Sequence, residues 1–269
     1  MRQAERRQLL IRELLSERPE YRGVSVPATA EDQRALLRGL MNVREAAPAS
    51  EEFLAVQDAY LREETATHGI TDVDDLVPAA VAGPAGGELY LWQGDITTLS
   101  ADAIVNAANS GMTGCYVPNH RCIDNAIHTF AGIQLRSCCA RIMAEQGRPE
   151  PTGQAKITPG YNLPARYVLH TVGPIVRGPL AQRDRELLAS CYRSCLELAA
   201  AHGLTSVAFC CISTGEFCFP NREAARIAIA TVQEFMQTPT SVKKVVFNVL
   251  KDLDREIYAE LLGCGDGGR

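Results

Sequence analysis

Apolar positions change their spacing along this 269-residue chain. Near the N-terminus Leu9, Leu10, Leu14 and Leu15 recur at the period of an amphipathic helix. Thr29-Ala-Glu-Asp32 resembles a capping box, with Asp in place of the usual Glu, and opens a second helix through Leu36, Leu37, Leu40 and Met41. Ser50-Glu-Glu-Phe-Leu opens a third, running through Val56, Tyr60 and Leu61. No strand signal interrupts them, so residues 1–84 read as a helical N-terminal extension. It is expected to pack on the main domain and to contribute little to ligand binding. Ala79 to Gly87, rich in Ala, Gly and Pro, reads as the linker.

From Glu88 the pattern alternates. Strand-like runs are Leu89 to Trp92, Ala103 to Asn106, Ala155 to Thr158, Tyr167 to Val172, Val207 to Cys211 and Val245 to Val249. Helical spacing covers Asp124 to Glu145, Asp184 to His202, Arg222 to Met236 and Asp254 to Leu262, ahead of a glycine-rich tail. Strands alternating with helices imply an α/β domain, spanning 85–266, with a largely parallel or mixed sheet covered on both faces.

Composition narrows the class. Hydrophobic residues make up 46% and charged residues 22%, ordinary for a globular protein. No apolar run approaches the length of a membrane span, and the first residues form no apolar signal core, so a cytoplasmic protein with no membrane partner is expected. A formal net charge of -5 argues against sequence-independent nucleic-acid binding, which needs clustered positive charge. Cys138, Cys139, Cys191, Cys195, Cys210 and Cys211 sit in apolar company and read as small core residues.

The chemistry concentrates in loops that follow strands, where open α/β sheets hold their ligands. The longest runs from Asn106-Ala-Ala-Asn109 through Cys115, His120 and Cys122 to Asp124-Asn125-Ala-Ile-His128. Two further loops are Gln93-Gly94-Asp95-Ile96-Thr97 and Ser213-Thr214-Gly215-Glu216-Phe217, the latter just ahead of a helix. Backbone N–H groups and the positive end of a helix dipole at such a turn suit an anion. Two such loops facing each other would suit a pyrophosphate, although an ordinary capped turn explains Ser-Thr-Gly equally simply. Cys115, His120 and Cys122 offer two thiolates and an imidazole, the donor types zinc takes, in a three-ligand set with a fourth position open. On spacing alone, zinc and chance placement stand even. His128 and His170 read as packed histidines and Trp92 as core.

Together these stretches resemble the macrodomain family of ADP-ribose-binding α/β modules. Gly94-Asp95-Ile96-Thr97, Ile104-Val105-Asn106-Ala107-Ala108-Asn109-Ser110, Ile123-Asp124-Asn125-Ala126-Ile127-His128 and Ser213-Thr214-Gly215 follow that family's order over Glu88 to Leu262. The resemblance implies a three-layer α/β/α fold. It assigns Asp95, with Ile96, to ligand binding at the adenine, and Asn106 and Asn109 to the distal ribose. Asp124 matches the acid that positions or activates water, with Asn106 beside it as the second catalytic candidate. Ser213, Thr214, Gly215, Glu216 and Phe217 match the second phosphate loop. Where most hydrolysing members carry a run of glycines, this chain has Gly114-Cys115-Tyr116-Val117-Pro118-Asn119-His120-Arg121-Cys122. From the first phosphate loop only backbone contacts of Cys122, Ile123, Asp124 and Asn125 are therefore carried over.

That departure resembles a zinc-containing microbial branch linked to removal of mono-ADP-ribose from proteins, which places Zn²⁺ on Cys115, His120 and Cys122. The implied function is a zinc-dependent hydrolase acting on a mono-ADP-ribosylated protein. The rival readings are a module that only reads ADP-ribose and an esterase acting on O-acyl-ADP-ribose.

Overall fold

The computed structural model describes residues 1–84 and 86–264. The domain limits expected at Ala85 and Asp266, and the glycine-rich tail, fall outside the described residues. Three helices lead: α1 (Gln3–Ser16), α2 (Ala30–Val43) and α3 (Glu51–His68). The N-caps of α2 and α3 form where the sequence predicts those helices to open. Thr29 Oγ1 accepts the N–H of Asp32 at 3.1 Å, and Ser50 Oγ accepts that of Phe53 at 3.1 Å. Leu10, Ile11, Leu14, Leu37, Leu40, Met41, Phe53, Tyr60 and Leu61 close a small core of their own. Ile133 of the main domain completes it, so the extension packs on that domain.

Two short strands precede the domain. β1 (Thr71–Asp72) pairs parallel with β4 (Leu99–Ser100). β2 (Ala80–Ala82) pairs antiparallel with the start of β3 (Gly87–Gln93). The stretch read as a linker is thus an edge strand. Its Ala-Val-Ala is too short to show alternation, and the pairing is supplied by β3.

The main sheet adds β5 (Ala103–Ala107), β6 (Ala155–Pro159), β7 (Tyr167–Thr171), β8 (Ser206–Phe209) and β9 (Lys244–Val249). Its order is β2-β3-β9-β8-β5-β7-β6, parallel in the middle, with antiparallel β2 and β6 at the edges. The central strands read as continuous apolar runs because helices cover both faces. Those helices are α4 (Ile123–Ala131), α5 (Ile133–Gln146), α6 (Gln182–Ala201), α7 (Asn221–Phe235) and α8 (Asp252–Leu262). Among the described residues, no helix is long and apolar enough to cross a membrane.

The single helix expected over Asp124 to Glu145 is broken at Gly132. Its φ of 96° lies where side chains are strained, and a Cβ there would meet Gln57 Nε2 at 2.7 Å. The groups freed by the break find partners elsewhere. Gln57 Oε1 accepts the N–H of Ile133 at 3.0 Å, and Asn162 Nδ2 donates to Ala131 O at 3.0 Å. Periodicity runs through the break because both halves bury the same face.

Candidate active site

The carboxyl ends of β3, β5, β7, β8 and β9 open into one cleft of about 690 Å³. Asp95, Ile96, Asn109, Cys115, His120, Cys122, Ile123, Asp124 and Ser213 to Phe217 line it, which brings the three sequence-predicted loops together. Asn106 and Asn125 do not line it. Both are fully buried beneath the wall, the Asn106 NH₂ group between Asp124 and His170 and the Asn125 amide between Arg38 and Val117. Trp92, expected in the core, is only half-buried against it. Cys210 and Cys211, read as core, are also lining residues.

Asp124 is the chemical centre. It sits in the first turn of α4, where the positive helix end favours an acid. Asn106 Nδ2 donates to its Oδ1 at 2.8 Å and Asn109 Nδ2 to its Oδ2 at 3.2 Å. Burial raises its carboxyl to about 6, against these two amides and the nearby Arg136, which favour the charged form. His128 Nε2 lies 3.6 Å from Asp124 Oδ1. Burial holds His128 neutral, well below its usual value, so the contact is neither an ion pair nor a hydrogen bond. Both ring nitrogens of His128 are buried without a hydrogen-bond partner. His170 is better provided for, with Nδ1 3.2 Å from Asn106 Nδ2 and Nε2 2.9 Å from Thr158 Oγ1.

The metal-type donors meet at the cleft wall. The Cys115 and Cys122 thiols and a His120 ring nitrogen lie within 4.8 Å of one another, with Cys115 Sγ 3.6 Å from His120 Nδ1. Bonds of roughly 2.0–2.3 Å to a tetrahedral zinc need donors about this far apart. The donor set, half-buried and converging, fits zinc. Cys122 Sγ also caps α4, accepting the N–H of Asn125 at 3.4 Å. The second nitrogen of His120 points across the cleft to Glu216, 3.7 Å away, in the second loop.

Both loops hold strained backbone. Among the described residues, four of the five non-glycines with positive φ lie in them: Met112, Asn119, Ser213 and Cys218. Strain of this kind collects at binding sites. Gly114 must be glycine, since at φ 86° a Cβ would meet the His128 ring at 2.8 Å. Ser213 Oγ is buried at the cleft with no partner.

Three side chains that support this site escaped the sequence reading. Arg38, in α2, donates Nε and Nη2 to Asn125 Oδ1 at 3.1 and 2.8 Å, and Nη2 to His120 O at 3.2 Å. Asn42 Oδ1 accepts the N–H of Asn119 at 3.0 Å. Arg136, in α5, donates to Thr113 O at 2.7 Å and to the carbonyls of Met41, Asn42 and Arg44. An arginine in an amphipathic helix reads as solvated, so nothing in the sequence marks them.

Residues 105–228 match the family model for the Macro domain. A protein of Treponema medium named "Protein-ADP-ribose hydrolase" is 58% identical over 97% of this chain and all of its own length. One of the same name from Staphylococcus aureus is 52% identical over 95% of this chain and 94% of its own. A solved Trypanosoma brucei macrodomain in complex with ADP-ribose is 29% identical. It superposes with a TM-score of 0.65 over 88% of this chain and 97% of that one.

Proposed function

Because this chain belongs to the macrodomain family, we propose that it is a zinc-dependent hydrolase that removes mono-ADP-ribose from a modified protein. The observation that carries this reading is one juxtaposition. Two thiols and an imidazole converge beside a buried carboxylate whose two oxygens are each held by an asparagine amide. A module that only read its ligand would need no such pair of sites.

ADP-ribose would lie along the cleft, with the adenine at Asp95 and the distal ribose at Asp124. Asp95 Oδ1 already accepts Thr97 N–H at 2.9 Å and its hydroxyl at 2.7 Å, so Oδ2 would meet the adenine amino group. Backbone N–H groups of Ser213 to Phe217, and those at the start of α4, would hold the pyrophosphate without a basic patch. Asn109 would contact the distal ribose from the cleft wall. Asp124, oriented by its two amides, would position the attacking water and accept its proton as general base. Asn106 is then a positioning residue, acting through Asp124 from beneath. Cys115, His120 and Cys122 would hold the metal, which when bound supplies a Lewis acid to orient a ribose hydroxyl or water. Ten unpaired cysteines support a reducing, cytoplasmic setting.

The test is mass spectrometry of a mono-ADP-ribosylated protein before and after incubation. Loss of the modification with release of ADP-ribose is expected. Tight ADP-ribose binding with no loss would make the protein a reader. Turnover of O-acyl-ADP-ribose alone would make it an esterase.

A further inference from the structure

We infer that Arg38 is a positioning residue for the metal-binding loop, so that the helical extension completes the site. The inference rests on the zinc reading above. The loop from Cys115 to Cys122 has little regular structure, and its Tyr116 and Val117 are 42% and 55% exposed. Within it, His120 N–H reaches Val117 O at 3.2 Å, and Asn125 Nδ2 donates to the same carbonyl at 3.1 Å. From outside the loop, Arg136 of α5 lies over the Tyr116 ring at 4.3 Å, and Glu216 lies 3.7 Å from His120 Nε2. The side-chain hydrogen bonds to the His120 carbonyl and the Asn119 N–H come from α2.

One half-buried guanidinium spans two chain segments. It grips the His120 carbonyl and the Asn125 side-chain oxygen together. His120 is one of the three donors, and Asn125 stands in the helical turn that Cys122 begins. Arg38 therefore fixes two of the three donors relative to each other, and its fork makes contacts that the single ammonium of a lysine could not reproduce. One turn along α2, Asn42 holds Asn119, whose φ of 56° lies in the strained left-handed region. Between them Gly39 lets helix and loop touch, since a Cβ there would lie 3.3 Å from Asn119 Nδ2. Residues 38, 39 and 42 thus share one face of α2, turned to the loop. Partners behind the ligands commonly set metal affinity, and their loss typically costs tenfold to a hundredfold.

The experiment uses the full-length protein and zinc itself as the probe, with affinity measured by chelator competition beside a melting curve. Arg38→Ala is expected to weaken zinc binding at least tenfold while the protein stays folded. Arg38→Lys keeps the charge and the stem, and is expected to recover only part of the loss. Arg34→Ala, which removes an exposed contact to Glu64 from the same helix, should leave zinc affinity unchanged. Wild-type zinc affinity in folded Arg38→Ala or Arg38→Lys protein overturns the inference and leaves the functional reading standing. If Arg34→Ala weakens zinc as much as Arg38→Ala does, the effect belongs to general stability and the inference also falls. Wild-type protein that binds no zinc overturns the functional reading itself.

Discussion

Asn106 donates one amide hydrogen to Asp124 Oδ1 at 2.8 Å, and the same nitrogen lies 3.2 Å from His170 Nδ1. Both hydrogens of one NH₂ group are thereby used. With Nδ1 accepting, His170 keeps its proton on Nε2 and donates it to Thr158 Oγ1 at 2.9 Å. A neutral, fully buried histidine is thus tied through one asparagine to the carboxylate of the site.

Asn106→Ala should consequently disable chemistry more than binding. It removes one of the two amides that orient Asp124 and leaves His170 short of a partner, but takes nothing from the cleft wall. Hydrolysis is expected to fall about a hundredfold or more, the scale of one lost preorganised donor. ADP-ribose affinity should change by less than about tenfold, or roughly 1.4 kcal/mol. Single-turnover release of ADP-ribose, run beside calorimetry, separates the two. An equal loss in both would put Asn106 in the ligand pocket.

At the adenine end the expectation is reversed. Asp95→Ala should weaken ADP-ribose binding by about 1.5–3 kcal/mol, the range for a hydrogen bond to a charged group. Because Asp95 also caps the turn over Ile96 to Thr98, part of that loss could be local disorder. Asp95→Asn keeps the capping oxygen and isolates the ligand term. Calorimetry that finds both variants at wild-type affinity would remove Asp95 from the site.

The core itself should respond to acid. His128 and His170 titrate near 6.5 when unfolded, whereas burial holds both well below that in the fold, His170 at about 3. Below about pH 6.5 the unfolded chain therefore takes up two protons that the folded chain refuses, and stability falls. Asp124 opposes this, because its folded carboxyl at about 6 takes a proton before the unfolded one near 4. The stability that it contributes is present below about pH 4 and lost as pH rises through 6. The decline should set in as pH falls through about 6.5, where the histidine uptake is already partly offset by Asp124. It then continues at about one net proton, roughly 1.4 kcal/mol per pH unit, down to about pH 4. Urea denaturation at a series of pH values tests it, and a flat profile from pH 7 to 5 would contradict it.

Much of this was legible in the sequence where signals are local. Alternating periods gave the sheet and its covering helices, and the polar loops after Trp92, Val105 and Cys211 marked the cleft. What escaped was made by contacts far apart in the chain. Arg38 and Asn125 are 87 residues apart, and β2 exists only because β3 lies beside it. The break at Gly132 depends on Gln57 and Asn162, neither of which its own neighbourhood reveals. The Asn106 side chain lies beneath the cleft rather than in its wall, because a sequence motif does not say which layer of a wall a side chain occupies.

Cys122→Ser separates a metal that braces the loop from one that takes part in the chemistry. Purified wild-type protein should carry about one zinc per chain by elemental analysis. Cys122 has a second task, since its Sγ accepts the Asn125 N–H that begins α4. Serine is among the favoured residues at that capping position, so the substitution removes a metal donor while sparing the helix start. A bracing zinc would make stability, ADP-ribose binding and hydrolysis fall together. A zinc that matters mainly in the transition state would leave ground-state binding largely intact, because the adenine and pyrophosphate contacts lie elsewhere in the cleft. The expected result is a folded variant with ADP-ribose affinity within about tenfold of wild type. Its release of ADP-ribose from modified protein should be slower by about two orders of magnitude. Chelation of the wild-type protein should reproduce the pattern, with a melting curve on the same sample. Hydrolysis that persists once zinc is measured as absent would leave Asp124, with Asn106 and Asn109 behind it, to carry the reaction alone.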